Sequence, residues 1–240
     1  MFRTRYVLRH LRRSRRTARL GLALMLPALV PAVLVLADVS GLVVSPNDFL
    51  AGGIATGTVE LTEAPRAGVT ITLTNSNPST FDVPATVFVA RATTANFPVT
   101  TKTNDVGCGT ITARIGTGPT RSADVFVREN VPSSAPVRVV LPVSALGIPS
   151  STVTGTVKLF LPIQPNASAA VRLSSSQPSV RVPSSITVAM QTTEIERQYG
   201  EGTFPITFTA EAASIRCAII TATSAGETGR ALLKIGNLGG

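Results

Sequence analysis

The sequence predicts an all-β protein, two antiparallel β-sandwiches in tandem behind an N-terminal export signal. Three observations lead there: self-similarity after residue 37, a period-two alternation of β-branched residues, and a basic N-terminus that runs into an apolar stretch. The formal charge of +9 over 240 residues sits mostly in that N-terminus, because eight of the 22 basic residues and none of the 13 acidic ones precede Asp38. The remainder keeps 14 basic (22 − 8) against 13 acidic groups, so its pI is no sign of a nucleic-acid surface.

Residues 1–37 read as a signal peptide. Arg3 to Arg19 form its basic region, and the uncharged run from Leu20 to Ala37 its apolar region, ending on a small residue suited to cleavage after Ala37. A retained membrane anchor is the rival reading, since the run is just long enough to span a bilayer. Pro27 and Pro31 weaken a spanning helix and favour cleavage. Thr17-Ala18-Arg19 after Arg15-Arg16 lacks the apolar pair of a twin-arginine signal, and no cysteine marks a lipid attachment.

The repeat comes next. Gly57-Thr58-Val59-Glu60-Leu61 matches Gly155-Thr156-Val157-Lys158-Leu159, and Leu73-Thr74-Asn75-Ser76-Asn77-Pro78-Ser79 matches Leu173-Ser174-Ser175-Ser176-Gln177-Pro178-Ser179. Val83-Pro84 matches Val182-Pro183, Phe97-Pro98 matches Phe204-Pro205, and the run from Cys108 to Ala113 matches that from Cys217 to Ala222. The order is collinear while the offset drifts, as when a scaffold is kept and its loops vary. Each copy is about the size of one domain, giving expected domains at 38–131 and 132–240.

Within a copy, 69–74, 86–89, 110–115 and 122–127 alternate as strands, separated by Pro and Gly turns such as Asn77-Pro78-Ser79 and Gly116-Thr117-Gly118-Pro119. About seven short, locally connected strands per copy and no helical period point to an immunoglobulin-like sandwich. The prolines of Val131–Pro136 suggest a stiff, extended linker between two domains laid end to end.

The run Leu-x-Ser-Ser-x-x-Pro-Ser, then Val-Pro, a Phe-Pro-(Val/Ile)-Thr strand, Ile-Thr-Ala and an Arg-containing last strand resembles the bacterial immunoglobulin-like repeat of exported and cell-surface proteins. The resemblance covers most of both copies and implies a sandwich serving as spacer, stalk or adhesion module, without a shared catalytic residue. Cys108 and Cys217 depart from it, standing where a Thr-like residue is expected, and the second copy has a longer loop.

Chemistry is scarce. The one histidine is His10, so a serine or threonine nucleophile after residue 37 has only Lys102, Lys158 or Lys234 as a base, and no enzyme is expected. Glu60/Glu63 and Glu194/Glu196 suit solvated strand edges better than glycoside chemistry. Gly52–Gly57 lacks the Lys-Ser/Thr of a phosphate loop and reads as a flexible lead into the first strand. An isopeptide between Lys158 and Asn237 has no placed carboxylate to support it. No cofactor or metal is expected.

Two features remain. Cys108 and Cys217 occupy the same place in each copy, off the core face, so neither closes an intradomain bridge. End-to-end domains keep them apart; free thiols are the plainer expectation, and an intermolecular or side-by-side interdomain disulfide the sharper one. The extra loop of the second copy brings Glu194, Glu196, Arg197, Tyr199 and Glu201, a candidate recognition surface for a cation, glycan or protein. Three glutamates are few for calcium, and a lone tyrosine without tryptophan argues against a sugar platform.

The expected product is therefore a non-enzymatic exported protein, extracellular, surface-bound or periplasmic, acting as a structural spacer or adhesion module. Other surface proteins or a second copy are its expected partners; nucleic acid is not, and a membrane enters only through an uncleaved N-terminus. The alternative is an envelope ligand-binding accessory protein using the long charged loop.

Overall fold

A computed structural model describes residues 37–102, 105–132, 134–142, 144–146, 149–160, 168–192 and 198–236. The signal segment and Asn237 lie outside the described residues, as do Glu194, Glu196 and Arg197.

The first half contains β1 (Val39–Ser45), β2 (Asp48–Leu50), β3 (Ile54–Leu61), β4 (Val69–Asn75), β5 (Phe81–Asp82), β6 (Thr86–Val89), β7 (Thr94–Thr101), β8 (Gly107–Arg114) and β9 (Arg121–Arg128). They make a four-stranded sheet, β1-β3-β7-β5, facing a five-stranded one, β2-β9-β8-β4-β6. The second half contains β10 (Val137–Val140), β11 (Ala145–Leu146), β12 (Thr152–Leu159), β13 (Ser168–Ser175), β14 (Val180–Arg181), β15 (Ser185–Thr192), β16 (Gln198–Phe208), β17 (Cys217–Ser224) and β18 (Glu227–Gly236). Its strand order matches, β10-β12-β16-β14 against β11-β18-β17-β13-β15. The fold is thus two immunoglobulin-like sandwiches, and among the described residues the one helical element is a 3-10 turn at Ala210–Ser214.

Each half carries more strands than the seven expected because its first strand is split and a two-residue strand, β5 or β14, is added at the edge of one sheet. The leading segment pairs antiparallel in one sheet (β1 with β3, β10 with β12), and its continuation crosses over to pair in parallel with the last strand of the other (β2 with β9, β11 with β18). Gly52, at φ +81°, turns the chain from β2 into β3, so the Gly-Gly pair closes a tight turn after two strands rather than leading into the first.

Alternation supplies the cores. Val59, Val99 and Phe81 from one sheet meet Ile71, Ile111 and Val125 from the other, each essentially buried; Leu159, Phe204 and Ile206 meet Val171, Ile220 and Leu233 in the second half. Each such side chain contributes about 1.5–3 kcal/mol relative to exposure. With so few aromatics, the phenylalanines are placed economically. Phe97 lies opposite Gly57 and Phe204 opposite Gly155 on neighbouring strands, the ring covering the glycine backbone. A Cβ on those glycines would come within 2.1 Å and 2.4 Å of the ring atoms, which is why Gly-Thr-Val and Phe-Pro recur together.

The Ser-Ser-x-x-Pro run is structural as well. The hydroxyl of Ser76 accepts the Thr110 N–H at 2.7 Å, and that of Ser176 accepts the Ile219 N–H at 2.9 Å. Both serines also donate their own N–H to the carbonyls of those residues, at 3.1 Å and 2.9 Å, tying the end of β4 or β13 to the strand beside it. The turn then closes through Thr80 N–H to Asn77 O and Val180 N–H to Gln177 O. Ser76→Ala and Ser176→Ala are each expected to lower stability by about 1 kcal/mol in denaturant titration. Ser79→Ala, where the exposed hydroxyl donates to the Asn77 side chain, is expected within about 0.5 kcal/mol of wild type.

Candidate functional site

Two places gather polar and reactive side chains: a seam between the sandwiches, and the base of the hairpin peculiar to the second one.

The seam is built on strands β8, β9, β17 and β18, whose inward residues fill the cores and whose outward residues meet each other. Cys108 and Cys217 are joined in a disulfide, with Cα atoms 6.3 Å apart and a sequence separation of 109. Both the free-thiol expectation and the intermolecular one give way to this intramolecular bridge. The reason is packing geometry: equivalent points on two like sheets lie far apart end to end but meet when the same face of each is turned to the other. The linker is correspondingly not extended, since Ala135 N–H turns back to Pro132 O at 3.0 Å.

Around the sulfurs, Val106, Phe126, Leu232 and Cys217 form a small buried cluster separate from both cores, with Cys108 and Ile219 against it. Charges ring it. Asp48 forms an ion pair with Arg128, whose Nε lies 2.7 Å from Oδ1, and across the seam accepts a hydrogen bond from Lys234 Nζ at 3.1 Å. The same ammonium stands 4.4 Å above the Phe126 ring. Glu129 receives the Arg230 N–H at 2.9 Å and Nε at 3.4 Å, while Asp124, held by the Thr110 hydroxyl, faces Arg216 Nε at 3.5 Å. The more exposed of these pairs, such as Arg216–Asp124, contribute at most about 1 kcal/mol each and orient the docking more than they drive it. Beside the linker the seam opens into a cleft of about 360 Å³, with Leu50 from one sandwich and Val140 from the other on its lips.

The second place lies on the hairpin. At the base of the insertion β15 and β16 run on and pair through Met190↔Gly200, Gln191↔Tyr199 and Thr192↔Gln198. That ladder joins the two sheets of the second sandwich, which stay separate in the first. Tyr199 and Glu201 therefore stand on a strand. The Tyr199 hydroxyl donates to Glu201, Lys158 Nζ lies 3.5 Å from Glu201 Oε2 on the neighbouring strand, and the Phe160 ring lies 5.3 Å from that of Tyr199. Lys158, considered above as an isopeptide donor, is thus engaged by Glu201.

The hydrogen bond to Glu201 pushes the Tyr199 phenol above its ordinary 10.0, with burial and the carboxylate's charge adding and Lys158 opposing. The same bond, helped by the Lys158 charge and opposed by burial, holds Glu201 below the ordinary carboxylate value. The signs follow. Tyr199 contributes stability that is present below 10.0 and lost as pH rises through its raised value; Glu201 contributes stability present above 4.5 and lost as pH falls through its lowered value. Phenolate absorbance, with Tyr199→Phe subtracted to remove Tyr6, is expected to titrate above 10.0, and Glu201→Ala to bring the midpoint down. An unchanged midpoint in that variant would place the cause elsewhere.

The other residues singled out are dispersed. Glu60 and Glu63 are exposed, Lys102 donates to the Pro78 carbonyl at 3.1 Å, and no group of three or more His, Cys, Asp or Glu among the described residues converges as metal ligands would. No helix among the described residues is long and apolar enough to cross a membrane. The two equivalent cysteines are the sequence signal for the seam: an end-to-end arrangement keeps them apart, and the side-by-side alternative is the one that brings them together.

No family model and no curated protein matches the chain. Solved structures similar to it include the D0-D1 domain of intimin, at 12% identity and TM-score 0.35, covering 82% of this chain and 99% of that one. The Yersinia pseudotuberculosis adhesin InvE is similar at 12% identity and TM-score 0.31, covering 81% of this chain and 58% of that one. Domains 5-6 of the S-layer protein SbsC match at 16% identity and TM-score 0.30, covering 83% and 98%. At these values the overlays assign no family, and the sandwich fold stands on strand order and register.

Proposed function

We propose that this chain is a non-enzymatic exported protein of the cell surface or envelope, in which two tandem immunoglobulin-like domains, bounded near 38–131 and 132–240, act as one spacer or adhesion module. The observation that carries the reading is the Cys108–Cys217 disulfide. Structural disulfides persist in oxidising compartments and are rare where thiol buffers keep cysteines reduced, which agrees with a basic-then-apolar leader cleaved after Ala37. The reactive side chains support the non-enzymatic reading. Lys158 is occupied by Glu201 and Lys234 by Asp48, so among the described residues neither stands as a free base beside a nucleophile.

Cell fractionation with N-terminal sequencing and thiol labelling tests this. The expected result is a product beginning at Asp38, outside the cytoplasm, with no alkylatable cysteine; a cytoplasmic protein retaining Met1 and two free thiols overturns it. The ligand-binding alternative rests on the charged hairpin. The mutual satisfaction of Tyr199, Glu201 and Lys158 favours a structural role for that base. Surface attachment is accordingly expected to survive Tyr199→Ala combined with Glu201→Ala, and its loss in that variant would favour the alternative.

A further inference from the structure

The seam has a built-in asymmetry of charge. Lys234 sits directly opposite Cys217 on the adjacent strand, and Arg216 precedes it in the chain. Their carboxylate partners, Asp48 and Asp124, belong to the other sandwich. With the seam closed those cations are neutralised. With it open they flank Cys217 unpaired, whereas Cys108 shares its face with Asp124, and with an Asp48 that stays paired to Arg128 of its own sandwich. Nearby cations lower a thiol's pKa and nearby anions raise it, so opening the seam makes Cys217 the more ionised thiol.

Both cores are complete without either sulfur, so each sandwich can fold with its thiol free on an outer face. A bridge requires Cα atoms within about 7 Å, a condition the closed seam meets and separated domains do not. In the closed seam, however, Cys217 is only 7% exposed, leaving no room for an oxidant's sulfur against it. Exchange must begin with the seam open and end with it closed. The short linker between Arg128 and Val137 keeps the two faces at high effective concentration meanwhile.

We infer that the two cysteines are joined last, by thiol–disulfide exchange between the folded, undocked sandwiches and a carrier disulfide, with Cys217 attacking first and Cys108 resolving, and that this oxidation turns two hinged domains into one body. The Cys217 thiolate attacks a carrier sulfur, forming a mixed disulfide and releasing one carrier thiolate. The Cys108 thiolate then attacks the Cys217 sulfur, closing the Cys108–Cys217 bond and releasing the second. Two protons and two electrons pass from the cysteines to the carrier, which leaves as a dithiol or two thiols. The inference rests on the exported reading only for where the carrier is met.

The test uses the full chain reduced, with oxidised glutathione as the probe, followed by intact mass at neutral pH. Cys108→Ser, which keeps Cys217, is expected to form its glutathione adduct about fivefold faster than Cys217→Ser, and Lys234→Ala added to it is expected to erase most of that advantage. Equal rates, or faster reaction at Cys108, overturn the assignment of the attacking thiol. Circular dichroism confirms that both variants remain β-folded before the rates are compared. In the wild-type chain, small-angle scattering is expected to show contraction on oxidation; identical profiles for reduced and oxidised protein overturn the docking step. Because every arm is in vitro, a failure here is distinct from finding the protein in the cytoplasm.

Discussion

Gly155→Val is expected to abolish independent folding of the second sandwich at ambient temperature, and Gly57→Val that of the first. The ring atoms of Phe204 and Phe97 stand where the new Cβ would go, and both rings are buried on their far side by the core. Neither can swing out without opening the core, so the overpacking cost lies at or above the usual range of about 1–3 kcal/mol. Phe204→Ala is expected to cost about 3–5 kcal/mol by itself, because it empties the centre of the core and bares the glycine backbone. The decisive measurement is the double variant. If the clash is the cause, Gly155→Ala costs less in the Phe204→Ala background than in wild type, giving a coupling of about 1–3 kcal/mol in denaturant titration. Additive penalties would show that glycine is required there for its backbone instead.

Removing the disulfide is the second large effect. Closing a loop of 109 residues is worth up to about 4–5 kcal/mol of denatured-state entropy. That limit applies when both sandwiches unfold as one unit. The seam's apolar cluster is small and its ion pairs half-exposed, so the reduced protein is expected to unfold in two transitions where the oxidised one shows one. Calorimetry with and without reductant checks this, with Cys108→Ser/Cys217→Ser reproducing the reduced trace. A single unshifted transition under both conditions would mean that the non-covalent seam suffices to couple the domains.

Much of the architecture was legible in the sequence because it rests on local signals. Alternation in 69–74, 86–89, 110–115 and 122–127 places β4, β6, β8 and β9 within a few residues of their observed ends, and the matched runs pass into equivalent strands. The split first strand was not legible: a Ser-Pro-Asn-Asp break between Val39–Ser45 and Phe49-Leu50 marks a turn, but that the two halves choose different sheets is decided only by tertiary pairing. The seam escaped for a related reason. Alternation says that Cys108 points away from its own core but not what it points toward, and the side-by-side arrangement depends on the folded surfaces of both domains. The hairpin bearing Tyr199 and Glu201 was visible as an insertion, while its pairing into a ladder needed register that composition does not carry.

The bridge also changes how the molecule would bear a load. Tension applied at the two ends passes from residue 108 to residue 217 through the sulfur–sulfur bond and bypasses residues 109–216. At about 3.4 Å per extended residue, roughly 370 Å of chain is withheld from extension until that bond is cut. The hidden stretch contains the whole of β9 to β16, so the β15–β16 ladder that joins the sheets of the second sandwich is spared even when the outer strands of both sandwiches peel away.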